Sequence, residues 1–89
     1  MKLQELLYDI KPIQIIGDVE KEVTGVNIDS RKIEKGHLFI AMKGTQTDGH
    51  AYIAKAIELG ATAILLEDMP QQYTDGITYI QVESTSIVG

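Results

Sequence analysis

The sequence predicts an α/β fold, namely a small mixed sheet of four or five strands with helices packed on it. Over residues 38–66, a short apolar run, a polar loop, a helical pattern and a second apolar run follow one another. This order is that of a βαβ unit, in which a helix connects two parallel strands. Short runs rich in β-branched residues before and after this unit supply the other strands.

The part of the chain before the βαβ unit contains one helical pattern and two candidate strands. Apolar residues recur at helical spacing over residues 3–10, so a short amphipathic helix is expected, ended by Pro12. Residues 13–16 are β-branched, and residues 23–28 alternate imperfectly in hydrophobicity, as a strand does. The second of these strands leads directly into a polar loop.

The βαβ unit is the most clearly marked segment. Residues 38–42 form a continuous apolar run between turn signals, which favours a strand buried on both faces. A helix follows, with Thr47 or Asp48 placed to cap its first turn and Gly60 placed to close its last. Residues 61–66 form the second apolar strand.

Beyond the unit, residues 77–82 alternate as a further strand, and Ser84 resembles a helix cap although the sequence stops soon after it. No repeat, low-complexity tract or internal linker is visible. We therefore expect residues 1–89 to form a single domain excised from a longer protein.

Composition limits the possible functions. Eighty-nine residues suffice for one domain with a modest core, but not for a two-substrate enzyme with separate nucleotide and acceptor sites. With 13 acidic and 8 basic residues the net charge is -5, and no stripe of Lys and Arg is present, which argues against nucleic-acid and membrane-surface binding. The chain has no cysteine and no apolar run near the ~20 residues of a membrane-spanning helix, so a cytoplasmic protein is expected.

Two polar loops follow the predicted strands. The first is Asp29-Ser30-Arg31, and the second, residues 43–49, leads into the helix of the βαβ unit. Ligands of α/β sheets bind outside the carboxyl ends of the strands, so a ligand is expected between these loops. Asp29 and Arg31 are the kind of pair that fixes a turn, whereas the Ser30 hydroxyl can donate to and accept from a ligand.

The second loop allows two interpretations. Its Gly residues and the polar side chains of Thr45, Gln46 and Thr47 suit an anionic or carbonyl-rich ligand beside a helix start. A plain strand-to-helix connection capped by Asp48 is the commoner outcome for such a segment. The loop lacks the GxxxxGK[ST] spacing, so triphosphate hydrolysis is not assigned to it.

The remaining polar residues do not form a recognisable active site. His37 and His50 have no partners at zinc-ligand spacing, so a metal site is not expected, and His50 is expected to cap or pack locally. The four tyrosines are expected to be half-buried packing residues, one of which could stack on a base.

Taken jointly, several short motifs resemble the N-terminal domain of the Mur ligases. They follow the pattern DSRxxxxGxLFxAxxGxxxDGHxFIxxAxxxGA from Asp29 to Ala61, and the resemblance extends over nearly the whole chain. His37 stands where the family often has Asp, and Tyr52 where it often has Phe. Within the family, the chain is most similar to the ligases that add the third peptide residue to UDP-N-acetylmuramoyl-L-alanyl-D-glutamate.

The resemblance implies a domain that docks the UDP moiety of this substrate for an ATP-dependent ligase of peptidoglycan synthesis. The family's UDP contacts carry over to Ile28, Ser30, Thr45, Gln46 and Thr47. The structural frame around these contacts comprises Asp29, Arg31, Gly44, Asp48 and Gly49.

The resemblance also implies which functions belong to other domains of the parent enzyme. ATP and Mg²⁺ belong to the central domain of the parent enzyme, so this chain holds no cofactor and is not catalytic alone. Its partners are the UDP-N-acetylmuramoyl peptide and the other domains of the ligase. The alternatives are the equivalent domain of the D-alanyl-D-alanine-adding ligase and a non-enzymatic interaction domain that reuses the fold; diaminopimelate and lysine both remain possible third residues.

Overall fold

The computed structural model describes residues 1–8, 10–42 and 48–83 of the 89-residue chain. Within them lie two α-helices and five strands, connected in places by 3-10 helices. In chain order these are α1 (Leu3–Leu6), β1 (Gln14–Ile16), β2 (Gly25–Asn27), a 3-10 helix (Ser30–Lys32), β3 (His37–Ile40), a second 3-10 helix (Gly49–Tyr52), α2 (Ile53–Leu59), β4 (Ala63–Leu66) and β5 (Thr78–Gln81).

The five strands form one mixed sheet in the order β1-β5-β4-β3-β2. Strands β2 to β5 are mutually parallel, and β1 pairs antiparallel with β5 at one edge. In the register of the central pair, Leu38 of β3 lies opposite Ala63 of β4. Because α2 connects these two parallel neighbours, the predicted mixed sheet and its βαβ unit are both confirmed.

The sheet buries both of its faces. Alternate residues of β3 and β4 point to opposite sides, so Leu38 and Leu65 join one core while Phe39 and Ile64 join the other. The first core includes Leu3 and Leu7 from the amino-terminal segment, and the second includes Ala56 of α2. Burial on both faces explains why the β3 and β4 segments are continuously apolar in the sequence.

The ends of the elements differ from the sequence prediction at several points. The first helix ends at Leu6 rather than near Pro12, because the backbone at Leu7 leaves helical geometry (φ -92°, ψ 3°) and continues as turns. Ile10 still packs against the core. The apolar pattern therefore identified a core residue correctly, although Ile10 does not belong to the helix. The second helix begins as a 3-10 turn, and Gly60 closes α2 in the left-handed region (φ 118°) as predicted.

The strands are shorter than the apolar runs that predicted them. Residues beside each strand, such as Ala41 and Ala61, are buried in the core without belonging to a strand. The predicted cap at Ser84 lies outside the described residues. No helix among the described residues is long and apolar enough to cross a membrane.

Candidate functional site

The first polar loop leaves β2 at the carboxyl edge of the sheet and turns at once into a 3-10 helix. The Asp29 carboxylate caps this helix by accepting the Arg31 backbone N–H at 2.9 Å. It also accepts both arms of the Arg31 guanidinium, from Nε at 3.1 Å and from Nη2 at 3.0 Å. These hydrogen bonds from the Arg31 side chain, and then from its backbone, lower the pKa of Asp29 from 3.8 to about 2. The carboxylate is therefore ionised at neutral pH, and its hydrogen bonds hold the turn.

Ser30 is held in the middle of this turn with its hydroxyl available. The residue is buried, at 6% exposure, yet its hydroxyl makes no hydrogen bond to any described residue. No fully enclosed side-chain oxygen or nitrogen lacks a partner within the described part of the chain, so the Ser30 hydroxyl must reach open space. A hydroxyl that can donate and accept, on a rigid backbone, suits recognition of a polar ligand edge.

The open space in front of Ser30 is a cleft of about 770 Å³, hereafter the β2 cleft. Ile28 contributes an apolar wall and is 60% exposed. Two further residues come from the other side of the cleft, from the helical segment that follows the second loop. The residues that line the β2 cleft are Ile28, Asp29, Ser30, Arg31, Tyr52 and Lys55.

The two positively charged residues of the β2 cleft differ in whether they already form an ion pair. Arg31 is tied to Asp29, which raises the pKa of the guanidinium, with a smaller contribution from the nearby Tyr52. Lys55 is exposed and makes no ion pair or hydrogen bond with a described residue. Its ammonium group is therefore the cleft's uncommitted positive charge among the described residues.

Six of the ten predicted contact and frame residues belong to the second loop. Gly44, Thr45, Gln46 and Thr47 lie outside the described residues. At the end of the loop, the Asp48 carboxylate accepts the His50 backbone N–H at 2.9 Å and caps the second 3-10 helix. The Gly49 N–H donates to the Met42 carbonyl at 2.7 Å, which fixes the start of this helix against the end of β3.

His50 links the second 3-10 helix to the segment that follows β4. Its Nε2 accepts the backbone N–H groups of Glu67 and Asp68, both at 3.0 Å, and its Nδ1 lies 2.7 Å from Asp48 Oδ1. Because a backbone N–H can only donate, Nε2 must be the acceptor, and the ring proton resides on Nδ1 and is donated to Asp48. The local capping expected of His50 is present, but its longer-range link to the β4 end was not foreseen.

A second cavity, hereafter the α2 groove, lies between α2 and the loop before β5. It has a volume of about 620 Å³ and a largely apolar lining that includes Ile57, Met69 and Pro70. Its floor is formed by Tyr79, which is 1% exposed. Thr74 also lines this groove, but the Asp29 turn does not; of these two cavities, that turn borders only the β2 cleft.

Tyr52 and Lys55 were not among the predicted site residues, although they lie three positions apart and so share one side of a helical segment. The expectation for the tyrosines was wrong at two positions, since Tyr8 is 88% exposed and Tyr79 is fully buried. Tyr52 and Tyr73 are partly exposed. Within the described ranges, no group of three or more His, Cys, Asp or Glu residues is arranged to hold a metal ion.

Comparison with known protein families gives a match over most of the chain. The model of the Mur ligase family, catalytic domain, matches residues 22–88. The chain is 59% identical over 90 residues to the UDP-N-acetylmuramoyl-L-alanyl-D-glutamate--2,6-diaminopimelate ligase of Bacteroides fragilis, an alignment that covers 100% of this chain and 19% of the relative. It is 62% identical over 85 residues to the enzyme of the same name from Bacteroides thetaiotaomicron, covering 96% and 18%. The chain thus spans about a fifth of the length of these relatives.

Solved structures show the same fold. The structure of UDP-N-acetylmuramoylalanyl-D-glutamyl-2,6-diaminopimelate--D-alanyl-D-alanyl ligase from Acinetobacter baumannii superposes with a TM-score of 0.83 at 22% identity, over 98% of this chain and 19% of that one. A structure of a UDP-N-acetylmuramoyl-L-alanyl-D-glutamate--2,6-diaminopimelate ligase superposes with a TM-score of 0.61 at 27% identity, over 86% of this chain and 15% of that one.

Proposed function

The chain belongs to the Mur ligase family, and on that premise we propose that it is the N-terminal domain of a ligase that adds 2,6-diaminopimelate to UDP-N-acetylmuramoyl-L-alanyl-D-glutamate in peptidoglycan synthesis. In this proposal the domain anchors the UDP moiety in the β2 cleft and the second loop. The high identity to relatives of that name favours this ligase over the D-alanyl-D-alanine-adding enzyme, whose structural likeness at 22% identity reflects the fold alone.

The observation that supports uridine binding most strongly is the state of Ser30. Its backbone is fixed by the Asp29 cap, and its hydroxyl reaches the β2 cleft without an internal partner. A uracil edge presents both acceptors and a donor, and a fixed hydroxyl can complement either. Ile28 beside it offers an apolar wall and backbone groups, while Thr45, Gln46 and Thr47 are proposed to contact the rest of the nucleotide.

The position of the cleft suits an anchor for the far end of a substrate. The carboxyl ends of β2 to β5 lie at one edge of the sheet, so the β2 cleft and the end of β5 share that edge. A domain that continues from β5 would start on the same side as the bound nucleotide. Contacts remote from the reacting group hold it in place, which lowers the entropic part of the barrier.

The chemistry of amide-bond formation is assigned to the rest of the ligase. This chain contains no GxxxxGK[ST] phosphate loop, and its described residues do not form a metal site, so they do not fit ATP or Mg²⁺. We propose that the other domains bind both, and that the protein acts in the cytoplasm, where its nucleotide substrate would be found. The residues described above bind and orient the substrate.

A titration of the 89-residue chain with UDP and with CDP tests the proposal. We expect UDP to bind and to shift the amide signals of Ile28 and Ser30, with CDP weaker because its exocyclic amine replaces the uracil carbonyl. Ser30→Ala should weaken UDP binding by about five- to tenfold, the value of one hydrogen bond, without lowering the melting temperature. Equal affinity for UDP and CDP, or shifts confined to the α2 groove, would contradict the proposal.

A further inference from the structure

We infer that Tyr52 and Lys55 complete the proposed uridine site, with the Tyr52 ring stacked on the base and the Lys55 ammonium paired with the diphosphate. The inference rests on the proposed function and adds two ligand-binding residues to it. Both residues lie outside the two polar loops, on the helical segment that forms the opposite side of the β2 cleft.

Tyr52 is the aromatic residue of the cleft. The residue is 45% exposed and lines the cleft. A pyrimidine base is flat and exposes two apolar faces, and an aromatic ring or an aliphatic wall is the usual cover for such faces. Tyr52 and the exposed Ile28 provide these two types of surface in one cleft, next to the Ser30 hydroxyl.

Lys55 is the positive charge that a diphosphate can use without disrupting the site. Arg31 also lines the cleft, but both of its guanidinium arms are held by Asp29 at 3.0 and 3.1 Å. The Asp29 carboxylate therefore already compensates the charge of Arg31. Lys55 has no such commitment within the described part of the chain, and its flexible stem can follow a phosphate group.

The Ser30 hydroxyl, the Tyr52 ring and the Lys55 ammonium border the same cleft, so one nucleotide can contact all three. The first 3-10 helix packs against α2, so Ser30 faces the segment that bears Tyr52 and Lys55. Tyr52 and Lys55 lie three positions apart on this segment, so both side chains start from the same side of it. Base, ribose and diphosphate can therefore lie along the cleft with the base near Tyr52 and the charge near Lys55.

Affinities of the 89-residue chain for uridine, UMP and UDP, measured by amide-shift titration, test the inference. Tyr52→Leu should weaken all three ligands alike, by about tenfold, because it removes the ring that contacts the base. Lys55→Met should leave uridine unchanged and weaken UDP by about three- to tenfold, with UMP in between. Tyr52→Phe and Lys55→Arg retain ring and charge and should stay within about threefold of the unmodified chain.

Lys32→Met is the matched control, since Lys32 is an exposed cation of the neighbouring 3-10 helix that does not line the cleft. Equal losses for Lys55→Met and Lys32→Met would overturn the role of Lys55, because both would then reflect net charge. Unchanged affinities for Tyr52→Leu would overturn the role of Tyr52. If the unmodified chain binds UDP and only these two roles fail, the proposed function stands; if it binds none of the three ligands, both proposals fail.

Discussion

Replacing His50 should show how much stability comes from its link between the second 3-10 helix and the segment after β4. His50→Phe keeps a ring of similar size but removes the acceptor for two backbone N–H groups and the donor to Asp48. The Glu67 N–H is partly buried and the Asp68 N–H is exposed, so water can replace the second bond more easily than the first. Loss of the acceptor for one partly buried N–H, together with loss of the charge-assisted bond to Asp48, predicts a decrease of about 1 to 3 kcal/mol in the free energy of unfolding.

Replacing His50 by Gln and by Asn distinguishes the contributions of its two ring nitrogens, Nε2 and Nδ1. His50→Gln can place its carbonyl near the Nε2 position, whereas His50→Asn reaches only as far as Nδ1, so Gln should preserve more stability than Asn. Urea denaturation measures the difference, and His37→Asp is the control, because His37 accepts only one exposed N–H, from Glu34, at 3.3 Å. The reasoning is refuted if His50→Phe costs less than about 0.5 kcal/mol or if Asn and Gln are equivalent.

Two further predictions concern the Asp29 turn and the end of α2. Asp29 should titrate with a pKa of about 2 in the folded chain against 3.8 when unfolded, so its contribution to stability is present above pH 3.8 and is lost as the pH falls towards 2. Carboxyl ¹³C shifts report this titration, and Arg31→Met should move its midpoint upward; an unmoved midpoint would exclude the guanidinium as the main cause. Gly60→Ala should cost about 2 to 4 kcal/mol, because its φ is 118° and the added Cβ would lie 2.7 Å from the Lys35 Cα. Gly76→Ala, also at positive φ (85°) but with nothing within 4 Å, should cost only about 1 kcal/mol in the same urea denaturation, and equal costs would rule out crowding at Gly60.

The central part of the fold could be predicted because its signals are local and strong. Within residues 38–66, the segments of β3 and β4 are apolar because both of their faces are buried. Gly60 ends α2 in the left-handed conformation, which glycine adopts readily. Strand order and the antiparallel direction of β1 could not be predicted, since a period of two residues carries no information on direction or neighbour. The predicted first helix was too long because the spacing of Ile10 fits a helix, whereas a turn brings this residue to the core.

The residues of the candidate site likewise fall into two groups, those that are neighbours in sequence and those that only the fold brings together. Asp29, Ser30 and Arg31 are consecutive, so the composition of the turn already indicated which side chain was free to meet a ligand. Tyr52 and Lys55 reach the same cleft only because α2 packs against the first 3-10 helix, a contact between segments that are distant in sequence. The partners of His50 lie 17 and 18 residues away, beyond the reach of any local pattern.

The most direct test of the β2 cleft as the uridine site is to locate the base on the protein. Intermolecular nuclear Overhauser effects between UDP and the 89-residue chain report which protons lie within a few ångströms of the uracil ring. We expect contacts from the uracil H5 and H6 protons to the Ile28 methyl groups and to the Tyr52 ring. Contacts instead to the Ile57 and Met69 side chains of the α2 groove would contradict this expectation.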